Sequence, residues 1–265
     1  MRPTVLMLSS QAAELSAFKE ILAPWLNIYK LCLIEQSKDE ENLQAELLRA
    51  NFQGLVLPHA SEQNEEEYVR RRTQRIRTTV TQLVPSVAII TAGDLQDASL
   101  REAFLTHVFL LARFYEVKAI GSARALMLFH SHHKYLYFCY HQRLKDQLGR
   151  IVANPKKLSL TEVFQHYEAI VIELLQHGMS TKNSTNALQH MFGYLSKELP
   201  AKEKAAMIAR IDDFRQGKVA KKEVLQALYA EVERTNQAFL RPQVIFEAYP
   251  DSLEEVFDSS NVSQI

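Results

Sequence analysis

Residues 129–145 read FHSHHKYLYFCYHQRLK. On one uninterrupted helix, His130, Lys134, Tyr137, His141 and Lys145 recur at spacings of four, three, four and four, which places them in a single stripe. Between Arg124 and Lys157 there are seven Lys or Arg and one acidic residue, Asp146. A cationic stripe that includes an aromatic ring suits a phosphate backbone with a base stacked beside it. The bland alternative is a solvated helix face. His133 is offset toward Phe129, Leu136 and Tyr140, the position of a hydrogen-bonded histidine in a partly buried place. Imidazoles three or four apart can share zinc, but no carboxylate or thiolate stands at a familiar ligand spacing, so no metal is expected.

A second polar stripe lies in MSTKNSTNALQHMFGYLSKEL, residues 179–199. Leu188, Met191, Phe192, Leu195 and Leu199 form the apolar side, and Asn186, His190, Gly193 and Lys197 the polar one. Ser184 or Asn183 is the expected N-cap. Thr181, Lys182 and Asn183 would then precede a helix start, where free N–H groups favour an anion. Ordinary capping, with a tight helix crossing at Gly193, is the competing reading. The arginines of RRRTQRIR, 70–77, follow EEE at 65–67 and read as a solvated, ion-paired face.

The elements that must position these groups fall into two halves of different character. TVLMLSS, WLNIYKLCLI, FQGLVLP and SVAIITA read as buried strands alternating with amphipathic segments. That pattern implies a short parallel sheet with flanking helices, an α/β domain over 1–120. Its binding crevice would lie at the strand C-termini, near Ser9, Ser10 and His59. SSQAAE has no glycine, so neither a dinucleotide nor a P-loop site is expected. Asp94 and Asp97 are placed to cap the next helix. Beyond them, helices are expected over 98–120, 122–152, 160–177, 184–198, 201–215 and 221–238, an all-α helical bundle over 121–255. The remainder, 256–265, is expected to be a flexible tail, with fraying from DSLEEVF onward.

The 265 residues carry equal numbers of Lys plus Arg and Asp plus Glu, so bulk charge does not announce a nucleic-acid or membrane protein. The two cysteines, Cys32 and Cys139, sit in apolar runs and are too few for an iron–sulfur cluster. There is no run of about 20 apolar residues, as a membrane span requires, nor a leader-like start. A cytoplasmic protein is expected.

The stretch FHSHHKYLYFCYHQRLKDQLGRIVAN resembles the opening of the YbgA-like domain, and TKNSTNALQHMFGYLSKEL its second hallmark. FRQGKV and LRPQVIFEAYPDSL are similar to its later segments, so the resemblance runs over about 122–255. AGDLQDASLREAFLTHVFLLARF is similar to the segment closing the thiouracil-desulfidase-like (TudS-type) domain, often fused ahead of it. That resemblance implies sulfur removal from 4-thiouridine in transfer RNA on a [4Fe-4S] cluster held by three cysteines. Here Ser9-Ser10-Gln11 and Pro58-His59-Ala60-Ser61 stand where the family has cysteines, and the cysteine-proline-glutamate stretch is missing. Hydroxyl and imidazole groups do not replace thiolates on such a cluster. The expectation is therefore a non-catalytic RNA-binding protein without an iron–sulfur cofactor, acting on structured RNA such as transfer RNA. Its contacts would be His130, Lys134, Tyr137, Arg150, Lys182, Asn183, Asn186, His190 and Arg215. Two alternatives stay open: an enzyme acting on RNA or a nucleobase through His133 or His190, with or without a metal, and a protein-interaction adaptor or homo-oligomer.

Overall fold

A computed structural model describes residues 2–7, 22–30, 52–58, 67–154 and 156–258. They form two compact units: residues 1–116 with 249–265, and residues 117–248.

The first unit is built on four short strands, β1 (Thr4–Met7), β2 (Asn27–Lys30), β3 (Gly54–Leu57) and β4 (Ala88–Thr91). All pairings are parallel, in the order β2-β1-β3-β4, with Val5 opposite both Ile28 and Gly54, and Gly54 opposite Ala88. The strands read as continuous apolar runs because both faces are covered. On one face Val5, Met7, Val56, Ala88 and Ile90 pack with Phe104, Leu105, Val108 and Phe109 of helix α2 (Ala98–Ile120). On the other, Leu6, Leu55 and Leu57 pack with Ile76 and Val80 of α1 (Glu67–Leu83). A Cβ on Gly54 would lie 2.8 Å from both Phe104 Cζ and Val108 Cγ2, so glycine is what lets α2 lie this close to β3. Asp97 caps α2, its carboxylate accepting the N–H groups of Ser99 and Leu100 at 2.8 and 2.9 Å; Asp94 belongs to the 3₁₀ turn just before.

The strand order reverses direction between β1 and β3, and in such sheets the crevice opens beyond those two carboxyl ends. The candidates there, Ser9, Ser10 and His59, lie outside the described residues, as does Cys32. The first part of the segment expected to fray is instead a helix, α9 (Asp251–Asp258), and 259–265 lie outside the described residues. Leu253 and Phe257 drop into the first unit's core at helical spacing, which its many polar residues obscured. Arg101 is almost fully buried beneath it, donating to Leu95 O and to Glu254 Oε1 at 2.9 and 2.8 Å, with Phe257 stacked 5.0 Å from the guanidinium.

The second unit contains α3 (Ala123–Tyr140), α4 (Gln142–Ala153), α5 (Leu160–His177), α6 (Thr181–Leu195), α7 (Ala201–Arg215) and α8 (Lys221–Arg234). Ser122, Ser159 and Ser180 supply side-chain N-caps, that of Ser159 completed into a capping box by Glu162. Gly121 and Gly178, both at positive φ, end the helices before them. Among the described residues no helix is long and apolar enough to cross a membrane.

Candidate nucleic-acid interface

The single helix expected over 122–152 is two. His141 is extended, at φ −159° and ψ 115°, ending α3 and starting α4. Its Nδ1 accepts the Leu144 N–H at 3.4 Å, and its ring lies 4.7 Å from that of His177. His141 is thus a cap, and the five-residue stripe is interrupted. A break of this kind leaves carbonyls at the end of α3 without helical donors. The start of α6 supplies them: Ser180 N–H donates to Cys139 O at 3.2 Å, and Asn183 Nδ2 donates to Tyr140 O at 2.7 Å. Asn183 therefore serves the junction. Helix α6 starts earlier than expected, with Ser180 as N-cap accepting the Asn183 N–H, so Thr181, Lys182 and Asn183 form its first turn.

The histidines of α3 have separate roles. His133 is buried against Phe129, its Nδ1–H donating to the Phe129 carbonyl at 2.7 Å and its ring 3.9 Å from that of Phe129. This removes it as an acid–base candidate for an external substrate. His130 is half-buried, with Nδ1 3.2 Å from the Tyr167 hydroxyl, which donates to the Tyr137 hydroxyl at 3.2 Å. The chain of bonds makes His130 Nδ1 a donor and leaves the lone pair on Nε2. Burial, reinforced by Lys134 and Lys145, pushes the His130 pKa down to about 4, so the ring is neutral at pH 7. A Cβ on Gly149 would come within 3.4 Å of that ring, so the glycine admits the imidazole between α3 and α4. Tyr137 has no exposed surface. Burial raises its phenol above the ordinary range, and the ring cannot stack on a base, contrary to the sequence expectation.

What remains at the surface is a strip along α3 bordered by α4 and α6. Phe138 is its floor, with the Lys145 ammonium 4.7 Å from the ring centroid and the His190 ring at 5.2 Å. Lys145 also pairs with Asp146 at 2.8 Å. One turn earlier, Lys134 lies 5.5 Å from the rings of both Tyr135 and Phe239, where its methylenes and charge are held on aromatic faces. Tyr194 of α6 lies 5.2 Å from Phe239, and burial together with a hydrogen bond to Tyr194 raises the Tyr135 phenol. Along α6, Asn186 is half-buried and His190 and Gly193 are exposed, and Lys197 is exposed in the turn after the helix, as the polar stripe requires. No helix crosses at Gly193, where a Cβ would meet nothing within 4 Å.

Helix α4 buries Leu144 and Leu148 and turns Arg143, Asp146, Gln147 and Arg150 outward on one face. Asn154, in the left-handed conformation, closes the helix, and exposed Lys156 and Lys157 follow. Among the described residues, no ion pair involves Arg143, Arg150, Lys156 or Lys157. Three cations further along the chain are ion-paired, by contrast: Arg215 at the end of α7 with Asp212, Lys218 in the loop after it with Asp213, and Arg234 of α8 with Glu203 and Glu231. Arg215 is thus an ion-paired surface residue on α7. Lys182 is exposed in the first turn of α6. Among the described residues, no group of three or more His, Cys, Asp or Glu is placed to hold a metal ion. Sequence reading missed Tyr194 and Phe239; an aromatic next to Gly193 in an otherwise polar register was the available signal.

Comparison with family models gives a match over this helical unit. Residues 134–250 match a family model described as "Protein of unknown function (DUF1722)". The chain is also similar to the "Uncharacterized protein YbgA" of Escherichia coli (strain K12), with 27% identity over 151 residues, 56% of this chain and 89% of that one. Both support the YbgA-like resemblance. No solved structure matches the chain.

Proposed function

We propose that the helical unit binds structured RNA, with transfer RNA as the preferred class, and that it does so without iron–sulfur chemistry. The observation that carries the reading is the local excess of exposed cations around α4. Arg143, Arg150, Lys156 and Lys157 are exposed around α4, in no ion pair among the described residues, with Asp146 as the sole acidic residue of 124–157. Guanidinium groups on one exposed helix face suit consecutive phosphates, which they can grip with paired N–H donors. Lys134 and Lys182 extend the cationic surface onto α3 and α6, and the His190 imidazole is exposed on α6 as well. The choice of transfer RNA, and a cytoplasmic setting, rest on the likeness of residues 1–120 to the TudS-type domain. The absence of cluster chemistry rests on Ser9, Ser10 and His59 standing where that family has or borders its cysteines.

The test is a titration of fluorescent transfer RNA across a salt series. Binding should weaken steeply with salt. Replacing Arg143 and Arg150 together by Ala should reduce the slope of log K against log salt by about 1 per arginine. Salt-independent binding, or an unchanged slope in the double variant, overturns the reading.

A further inference from the structure

We infer that α6 carries a seat for one unpaired nucleobase, formed by Gly193, Tyr194 and Phe239 and bordered by His190, Lys197 and Lys134. The inference deepens the RNA reading above and rests on it. Two independent features point to a ligand.

The first is Gly193 itself. It lies inside a 15-residue helix, where glycine costs stability relative to alanine, and nothing in the second unit requires it: a Cβ there meets no atom within 4 Å. The ordinary reasons for a helical glycine, a close crossing or a positive φ, are both missing, since positive φ occurs at Gly121, Gly178 and Gly217 but not here. What glycine does provide is a bare stretch of backbone that a flat group can approach closely.

The second feature is the aromatic pair at its edge. Tyr194 and Phe239 keep 44% and 37% of their surfaces exposed, with ring centroids 5.2 Å apart. Single exposed apolar side chains are ordinary; these two differ in lying ring beside ring, which gives a continuous aromatic surface. The chemistry of the border selects the occupant. His190, three residues before Gly193, is exposed on α6, Lys197 is exposed in the turn just after the helix, and the Lys134 ammonium is held 5.5 Å from the Phe239 centroid. An aromatic platform ringed by ammonium and imidazole groups, on a helix that contains no Asp or Glu, suits a planar ring joined to an anion. A nucleobase with its phosphodiester has that form. An apolar protein segment would not use the cationic border. The occupant must be unpaired, because a base in a duplex does not expose its face.

Three substitutions in the full chain separate the possibilities, read with a single-stranded RNA containing 2-aminopurine and with the same strand in a duplex. Gly193→Ala should raise the unfolding midpoint and yet weaken single-strand binding about tenfold. A merely structural glycine would not move those two readouts in opposite directions. Tyr194→Ala should weaken binding by about tenfold as well, in the range of one lost base–aromatic stack. Tyr194→Phe, which keeps the ring, should bind like the parent. The parent should perturb the 2-aminopurine fluorescence in the single strand and not in the duplex. If the parent binds RNA but Gly193→Ala and Tyr194→Ala bind equally well, the seat is overturned and the RNA reading survives. If the parent binds no RNA at any salt, both fall. If the substitutions change sedimentation of the protein alone, the face is a contact between copies of the chain and the seat is overturned.

Discussion

Substitution of Asn183 by alanine tests whether the α3–α4 break is held from outside. The Asn183 side chain donates to Tyr140 O at 2.7 Å, one of the two bonds from the start of α6 to the carbonyls at the end of α3. Removing the donor leaves a partly buried carbonyl short of its partner, at a cost of about 1–3 kcal/mol, with the lower half applying because water has some access. Alanine is the better helix former by roughly 0.5 kcal/mol, which offsets part of the loss. The net expectation is a destabilisation of about 1 kcal/mol. With a urea dependence of about 2 kcal/mol per molar, the midpoint moves down by about 0.5 M. Far-ultraviolet circular dichroism follows the helical unit directly. Asn186→Ala is the internal control: it sits one turn on in the same helix, and the structure gives its side chain no hydrogen bond, so it should gain a few tenths of a kcal/mol. If the two variants unfold at the same urea concentration, the bond to Tyr140 contributes nothing and the account of the break is wrong.

Three further outcomes follow from the packing and the charges. Gly54→Ala should destabilise the first unit by about 1–3 kcal/mol, because the new methyl meets Phe104 and Val108 at 2.8 Å; the fluorescence of Trp25, the chain's one tryptophan, reports it. Glu254→Ala should cost about 3 kcal/mol by leaving the buried Arg101 guanidinium without its carboxylate, and Glu254→Gln should recover part of that in the same thermal melt. Acid should destabilise both units. His107, whose Nε2–H donates to Ser86 O at 2.7 Å, and His130 are each pushed down to about 4, chiefly by burial. The unfolded chain, with histidines near 6.5, binds more protons between those values. Stability is therefore full above about pH 6.5, falls as pH drops toward 4, and then loses nothing more to these groups; His130→Gln should flatten the fall in the helical unit.

The strands were legible because a buried parallel strand is an unbroken apolar run: TVLM, GLVL and AIIT appear as β1, β3 and β4 with only their ends trimmed. The apolar side of α6 was equally plain, with Leu188, Met191 and Leu195 buried at helical spacing. The break at His141 was not legible, since neither proline nor glycine marks it and its stabilising donors come from about 40 residues further along the chain. Tyr137, which lies ahead of the break, was misplaced for another reason: spacing identifies which residues share a face but not which face meets α5, where Tyr167 takes up that hydroxyl. Of the candidate contacts, Lys134, Arg150, Lys182 and His190 retain exposed surface, whereas Asn183 is held by the junction. Lone cations on a surface and paired ones look alike in sequence; Arg150 and Arg215 differ only in whether a carboxylate lies within reach.

The α/β unit is closed by residues from both sides of the helical one, since Leu253 and Phe257 fill a core begun by Val5. A ribosome making this chain must deliver all six bundle helices before that core can be completed. The bundle can mature during synthesis, while the strands wait with one flank uncovered. Deleting residues from Tyr249 onward should accordingly harm the part of the protein made first, leaving soluble helical fragments and an aggregation-prone beginning.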